Sequence, residues 1–238
     1  MVDHVFLYTS AVQKIKDMIT QGELGDILYF DSVRVNLGLF QNDINVVWDL
    51  APHDLSIMDY IVDKFPVAVR AMGSCHANNG LENIAYIHLY FENDLIAHFH
   101  VNWLAPVKIR QVLIGGTKKM IVYNDIEPTE KIKIYDKGID VVQDTDPKGR
   151  FKTLISYRTG DVLSPKLETV EALNLACKDF IKNIENACFD FPCDGVHGLR
   201  IVQLLEAIQE SIQNQGSLIK LKNPGTHHNL PQSTASFF

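Results

Sequence analysis

The sequence predicts an α+β fold, a mostly antiparallel open sheet with helices packed on one face. Three observations carry this expectation. Between Pro66 and Asp136 apolar residues recur with a period of two, in six runs separated by turn residues such as Glu92-Asn93-Asp94 and Gly115-Gly116-Thr117. Connections that short join antiparallel neighbours. On either side of this region the apolar period changes to that of amphipathic helices, and a sheet buried on one face gives their stripes a common surface.

Residues 10–21 read as a helix with Val12, Ile15, Met18 and Ile19 on one face and Gly22 as its stop. A strand is expected at 26–36, then a loop at 37–47 rich in Asn, Asp and Gln. A helix at 51–62 follows, with Pro52 marking its start and Leu55, Met58 and Val62 facing the core. The alternating runs place strands at 67–75, 83–92, 95–104, 108–115, 119–124 and 131–136. In the third, Leu95, Ala97, Phe99, Val101 and Trp103 share one face, and His98, His100 and Asn102 share the other, which Tyr86, His88 and Tyr90 extend. Residues 137–166 show no periodicity and are expected to form an extended excursion over the surface. Two closing helices are expected at 168–187, striped by Val170, Leu173, Cys177, Phe180, Ile181 and Ile184, and at 198–214, striped by Leu199, Val202, Leu205, Ile208 and Ile212. Both are expected to pack on one sheet face. Residues 223–238 form a polar tail containing Pro224 and Pro231.

The 238 residues are 46% hydrophobic and 21% charged, ordinary values for a globular chain large enough for one sizeable core. A net charge of −7 argues against nucleic acid as a partner, since phosphate neutralisation needs clustered Lys and Arg. Cys75, Cys177, Cys188 and Cys193 form no Cys-x-x-Cys pair and are expected to be free thiols. Neither a signal-peptide pattern nor an apolar run of membrane-spanning length occurs, so no membrane partner and a cytoplasmic location are expected.

The chemistry concentrates at Trp48-Asp49-Leu50-Ala51-Pro52-His53-Asp54. Residues at i and i+4 project from one helix face, so Asp49 is placed to orient His53 and to stabilise its imidazolium, as general acid/base work requires. Arg34, Asn36, Gln41 and Asn45 cluster just ahead of this pair, and Arg34 is suited to bidentate anion contact. His88, His98 and His100 share a sheet face, but no acidic or cysteine ligand is built into that stripe. An aromatic-plus-histidine face suits protein contact, and no metal is expected there. His197 reads as part of a helix-capping region.

The stretch Arg34-Val35-Asn36-Leu37-Gly38-Leu39-Phe40-Gln41-Asn42-Asp43-Ile44-Asn45-Val46-Val47-Trp48-Asp49-Leu50-Ala51-Pro52-His53-Asp54 resembles the C-terminal domain of the Gfo/Idh/MocA oxidoreductases. Within that family it is most similar to the UDP-N-acetyl-hexosaminuronate 3-dehydrogenase branch. Asp49 and His53 match the family's Asp-x-x-x-His element. His4-Val5-Phe6-Leu7-Tyr8, Tyr157-Arg158-Thr159-Gly160-Asp161 and Asp194-Gly195-Val196-His197-Gly198-Leu199-Arg200 extend the resemblance over residues 2–222.

The resemblance implies an NAD-dependent dehydrogenase acting at a sugar C3 hydroxyl. His53 would be base or proton shuttle and Asp49 its orienter, with Tyr157 and Arg158 as further substrate contacts. It also implies a Rossmann domain bearing Gly-x-Gly-x-x-Gly and Glu-Lys-Pro, and neither motif occurs in this chain. Residues 1–9 would then be the last strand of that missing domain, residues 10–222 the substrate, catalytic and oligomerisation domain, and 223–238 a tail. NAD is implied for an intact family member, whereas no cofactor is expected to bind this chain alone. Implied partners are a UDP-sugar, a second copy through the open sheet face, and a separately encoded Rossmann half. The alternatives are a non-catalytic sugar-nucleotide-binding or oligomerisation module, and cofactor-free acid/base catalysis such as epimerisation or hydrolysis.

Overall fold

The computed structural model of the chain describes residues 1–38, 42–77, 80–145, 151–187 and 191–224. A 3-10 helix at Val5–Tyr8 is followed by α1 (Ser10–Thr20), β1 (Ile27–Leu37), α2 (Val46–Val62), β2 (Ala68–Ser74), β3 (Ile84–Tyr90), β4 (Ile96–Asn102) and β5 (Leu104–Gly116). Next come β6 (Met120–Asn124), β7 (Ile132–Tyr135), β8 (Gly138–Thr145), β9 (Phe151–Arg158), β10 (Val162–Leu163), α3 (Ala172–Glu185), α4 (Gly195–Gln213) and β11 (Ile219–Lys220). Nine strands form one sheet in the order β10-β7-β6-β5-β1-β4-β3-β2-β11, and β8 and β9 form a separate two-stranded sheet. The pairing is antiparallel except between β1 and β4. The expected α+β class and mostly antiparallel sheet are what the chain forms.

One face of the sheet carries the core. Phe30 of β1, Ile87 and Leu89 of β3, Ala97 and Phe99 of β4, Ile114 of β5 and Ile121 of β6 are fully buried there. Leu55, Met58 and Ile61 of α2 and Leu204 and Ile208 of α4 pack in the same cluster. Each such aliphatic or aromatic side chain contributes about 1.5–3 kcal/mol when fully buried. The helix α1 lies on α2, is capped by Thr9, whose hydroxyl accepts from Val12 N, and stops before Gly22 at φ 71°.

Several local expectations are corrected. Val5–Tyr8 is a 3-10 helix where a remnant strand was expected; Val2 N bonds to Cys193 O, and no neighbouring strand is there to form a ladder with this segment. The helix α2 starts at Val46, not near Ala51. The Asn45 side chain accepts from Val47 N and Trp48 N, and Pro52 sits inside the helix, where its missing N–H gives up one bond to the preceding turn. The surface excursion contains β8, β9 and β10. The pairing of β8 with β9 is a contact between two segments, which a periodicity search along one segment does not detect.

The last two helices differ from expectation in opposite senses. The face of α4 that packs on β2 and α2 is centred on Ile201, Leu204, Leu205 and Ile208; Leu199 and Val202 of the expected stripe lie outside it. The helix α3 makes its main contact away from the sheet. It packs on the 3-10 helix through Ala176 and Asn183, and the expected stripe of Val170, which precedes the helix, Leu173, Cys177, Phe180, Ile181 and Ile184 is exposed. The helices α2 and α4 already fill the sheet face that α3 was expected to share. No helix among the described residues is long and apolar enough to cross a membrane.

Candidate functional site

His53 lies in the second turn of α2, half-buried, with the Phe6 ring edge-on at 5.2 Å. Burial first, then the Arg34 and Arg110 charges, lower its pKa against the opposing pull of Asp54 and Asp49. The imidazole is therefore neutral at neutral pH and able to accept a proton.

Asp49 sits in the first turn of α2, where a carboxylate is favoured by the helix dipole. Its Oδ2 accepts the indole N–H of Trp103 at 2.9 Å. Trp103 is fully buried, so its N–H requires a partner, and Asp49 supplies it. The orienting hydrogen bond expected from Asp49 to His53 is not formed among the described residues; Asp49 reaches His53 through its charge alone.

Arg34 is buried and gives two hydrogen bonds to Asp54, Nε to Oδ2 at 2.8 Å and Nη2 to Oδ1 at 2.7 Å, with the guanidinium over the Phe6 ring at 4.9 Å. The bidentate anion contact expected of Arg34 is thus made within the chain. This carboxylate also lies one residue from His53, so the buried pair fixes the electrostatics around the imidazole. Asn36 follows two residues along β1, half-buried on the same sheet face. Asn45 is buried and committed three ways, capping α2 and donating to Glu82 Oε2 and Gln209 Oε1, both at 2.6 Å. Gln41 lies outside the described residues.

Tyr157 and Arg158 are not brought to His53. Tyr157 is exposed on β9, and Arg158 donates to Lys118 O in the β5–β6 turn and faces Asp136 at 3.4 Å. Arg110, opposite Arg34 in the β1–β5 register, is about 20 Å from that turn along β5 at the usual rise per residue.

The structure adds residues that sequence reasoning missed. Arg110 and Asp125 pair at 3.3 Å, and the Tyr123 hydroxyl donates to Asp125 at 3.2 Å; burial and that carboxylate raise the Tyr123 pKa, keeping the phenol protonated. Tyr123 and Asp125 line a cleft of about 400 Å³ with Thr9, Lys131, Lys166 and Glu168; His53 is not in its wall. Behind the site, Asp59 of α2 accepts Arg200 Nε at 3.0 Å and faces His197 Nδ1 at 3.2 Å. Asp194 caps α4 at His197 N, as the capping expectation had it. The His4 ring stands edge-on to His197 at 5.2 Å, and burial, then the His197 and His53 charges, lower its pKa to about 4. Only the motif containing His4 and Phe6 hinted at this. The partners Asp54, Asp59 and Asp125 are ordinary acidic residues until the chain folds.

On the open sheet face, Tyr86 stacks on His100 at 4.5 Å, the rings of His88 and His98 lie 4.9 Å apart, and His98 Nδ1 contacts Asp31 Oδ1 at 2.6 Å. Among the described residues no three His, Cys, Asp or Glu side chains converge as metal ligands.

The described residues also fail the test for a dinucleotide cradle, which needs a glycine turn leading from a strand into a helix N-terminus. The positive-φ glycines Gly22 and Gly25 lie between α1 and β1, Gly80 between β2 and β3, and Gly216 after α4. Gly38 follows a strand, but a Cβ there would meet Trp103 at 2.4 Å, so its small size serves packing.

Comparison with known proteins bears on the fold. No curated protein sequence matches the chain. Among solved structures it superposes on the UDP-N-acetylglucosamine 3-dehydrogenase GnnA from Acidithiobacillus ferrooxidans with a TM-score of 0.69 at 20% identity, covering 90% of this chain and 61% of that one. A levoglucosan dehydrogenase in complex with NADH and levoglucosan gives a TM-score of 0.70 at 20% identity, over 95% of this chain and 66% of that one. The chain thus spans less than two thirds of the length of either. The family model of the Gfo/Idh/MocA C-terminal domain matches residues 12–122, and over those residues the chain is similar to that family.

Proposed function

We propose that this chain is the substrate-binding and proton-transfer part of a nucleotide-sugar dehydrogenase of the C3-oxidising type. The observation that carries the reading is His53, a neutral imidazole in the second turn of α2 whose surroundings are fixed by the buried Arg34–Asp54 pair. In this role His53 accepts the proton of a sugar hydroxyl, and Asp49 and Asp54 stabilise the imidazolium that results. Asp49 therefore works through its charge while it holds Trp103, and Arg34 is a positioning residue. Asn36 is the substrate contact this reading retains among the described residues, and Tyr157 and Arg158 belong to a separate region. This reading assigns the described residues a proton transfer and no redox step.

A second reading, a sugar-nucleotide-binding or oligomerisation module, draws on the open sheet face. Stacked Tyr86 and His100 beside His88 and His98 form a face suited to a second copy. Thermal shift separates a chain that binds a UDP-sugar from a purely oligomerising one when UDP-N-acetylglucosamine or its uronate is compared with uridine and free N-acetylglucosamine. A ligand at 100 times its dissociation constant stabilises the fold by about 2.7 kcal/mol. The first reading expects stabilisation by the UDP-sugar and an altered response in His53→Gln. Absence of any shift at millimolar UDP-sugar overturns substrate binding and leaves the oligomerisation module.

A further inference from the structure

The far end of α2 carries a second constellation. Arg200 of α4 is 4% exposed, and its guanidinium donates Nε and Nη2 to Asp59 Oδ1 at 3.0 and 2.5 Å. The Phe65 ring lies 5.0 Å from the same group. These contacts leave Nη1, which has no partner among the described residues and is not sealed off from solvent. Arg200 lines a cleft of about 430 Å³ together with Lys64, Phe65, Phe91, Glu92 and Asn93. A guanidinium fixed on two nitrogens and a ring has lost its rotational freedom already, so its third nitrogen is a preorganised donor in the cleft wall.

This cleft is separate from the His53 site. It forms where α2 ends at the left-handed Asp63, between the segment leading to β2, the turn after β3 and the residues after β11. His53 lies ten residues before Asp63 on α2, about 15 Å along the helix axis. The charges of the cleft select its ligand. Lys64 is exposed, forms no ion pair among the described residues, and adds a second cation beside Arg200. Asp63 and Glu92 line the same cleft and oppose an anion of more than one charge. Phe65, Phe91 and Leu221 give it an apolar wall, against which a hydrocarbon body is removed from water. We propose that this cleft binds the carboxylate of a small apolar or aromatic acid, with Arg200 Nη1 and Lys64 as the anion contacts. A single carboxylate meets both cations, carries no second charge for Asp63 and Glu92 to repel, and leaves its body to the rings.

The probe is phenylacetate, titrated into the full chain and followed by calorimetry and by the Arg200 Nε–H signal in nitrogen-15 NMR. Phenylacetamide and inorganic phosphate are the comparisons, the first without the charge and the second without the apolar body. The expected result is saturable binding of phenylacetate that moves the Arg200 signal, with both comparison ligands about tenfold weaker. Lys64→Ala, at an exposed position compatible with folding, weakens phenylacetate about fivefold. Arg200→Lys, which keeps the charge but cannot hold Asp59 and a ligand together, abolishes saturation; where that variant fails to fold, Lys64→Ala decides. No saturation at millimolar phenylacetate, an affinity that Lys64→Ala leaves unchanged, or equal binding of phenylacetamide or phosphate overturns the proposal. Displacement of phenylacetate by UDP-N-acetylglucosamine, or its loss in His53→Gln, puts the acid at His53 and overturns the separate site.

Discussion

The helices α3 and α4 are both amphipathic, nearly adjacent in sequence, and opposite in what they do with their apolar residues. The second packs Ile201, Leu204, Leu205 and Ile208 onto β2 and α2, and fastens itself further through Arg200 and His197 on Asp59. The first keeps Ala176, Asn183 and a single hydrogen bond from Tyr8 on its inner side and presents its large side chains outward. Their difference shows that a hydrophobic stripe states only that something covers it. What covers it is decided by which surfaces other elements have already occupied.

The contrast can be broken most forcefully at Asp59. Replacing it with Ala leaves the Arg200 charge buried without its carboxylate, and a loss of about 3–5 kcal/mol is expected in urea unfolding. A result near zero would mean that α4 is held by packing alone. Next in size, Leu204→Ala, at a fully buried position, is expected to lose about 2–5 kcal/mol through transfer and cavity terms.

The titration of His4 sharpens the same comparison, because His4 stands against His197 at the start of α4. Its folded pKa of about 4 lies below the ordinary 6.5, so the unfolded chain binds more protons between these values. Stability is therefore full above about pH 6.5 and declines as pH falls toward 4. His4→Gln is expected to flatten that decline in denaturant midpoints measured across the window; an unchanged slope would place the acid sensitivity elsewhere. The smallest effect is expected on α3, where Ile181→Ser in the isolated chain changes stability by less than about 0.5 kcal/mol. A loss comparable to that of Leu204→Ala would show that the strip is covered within this chain or by a second copy.

Much of the fold was legible because the alternation between Pro66 and Asp136 is a local signal of one-sided burial, and the six expected strands are there. The start of α2 was misplaced because Pro52 suggested a first helical residue, while the Asn45 side chain caps the helix earlier. The pairing of β8 with β9 was not legible, since it is a contact between two segments that a period read along one segment does not report. His53 was legible from its neighbourhood in sequence. The surroundings that tune it were not: Arg34 reaches Asp54 across the strand–helix interface, Asp49 is drawn to the Trp103 indole, and Phe6 arrives from the other end of the segment. Those are tertiary choices, and spacing along the chain does not encode them.

The central claim is that His53 is a neutral proton acceptor in a sugar-nucleotide site, and the most direct measurement is the titration of its ring nitrogens by nitrogen-15 NMR with and without UDP-N-acetylglucosamine. A midpoint below 6.5 is expected in the free chain, as burial and Arg34 require, with a ring signal that moves when the UDP-sugar is added but not when uridine is. A midpoint at or above 6.5, or a ring signal indifferent to millimolar UDP-sugar, would contradict it.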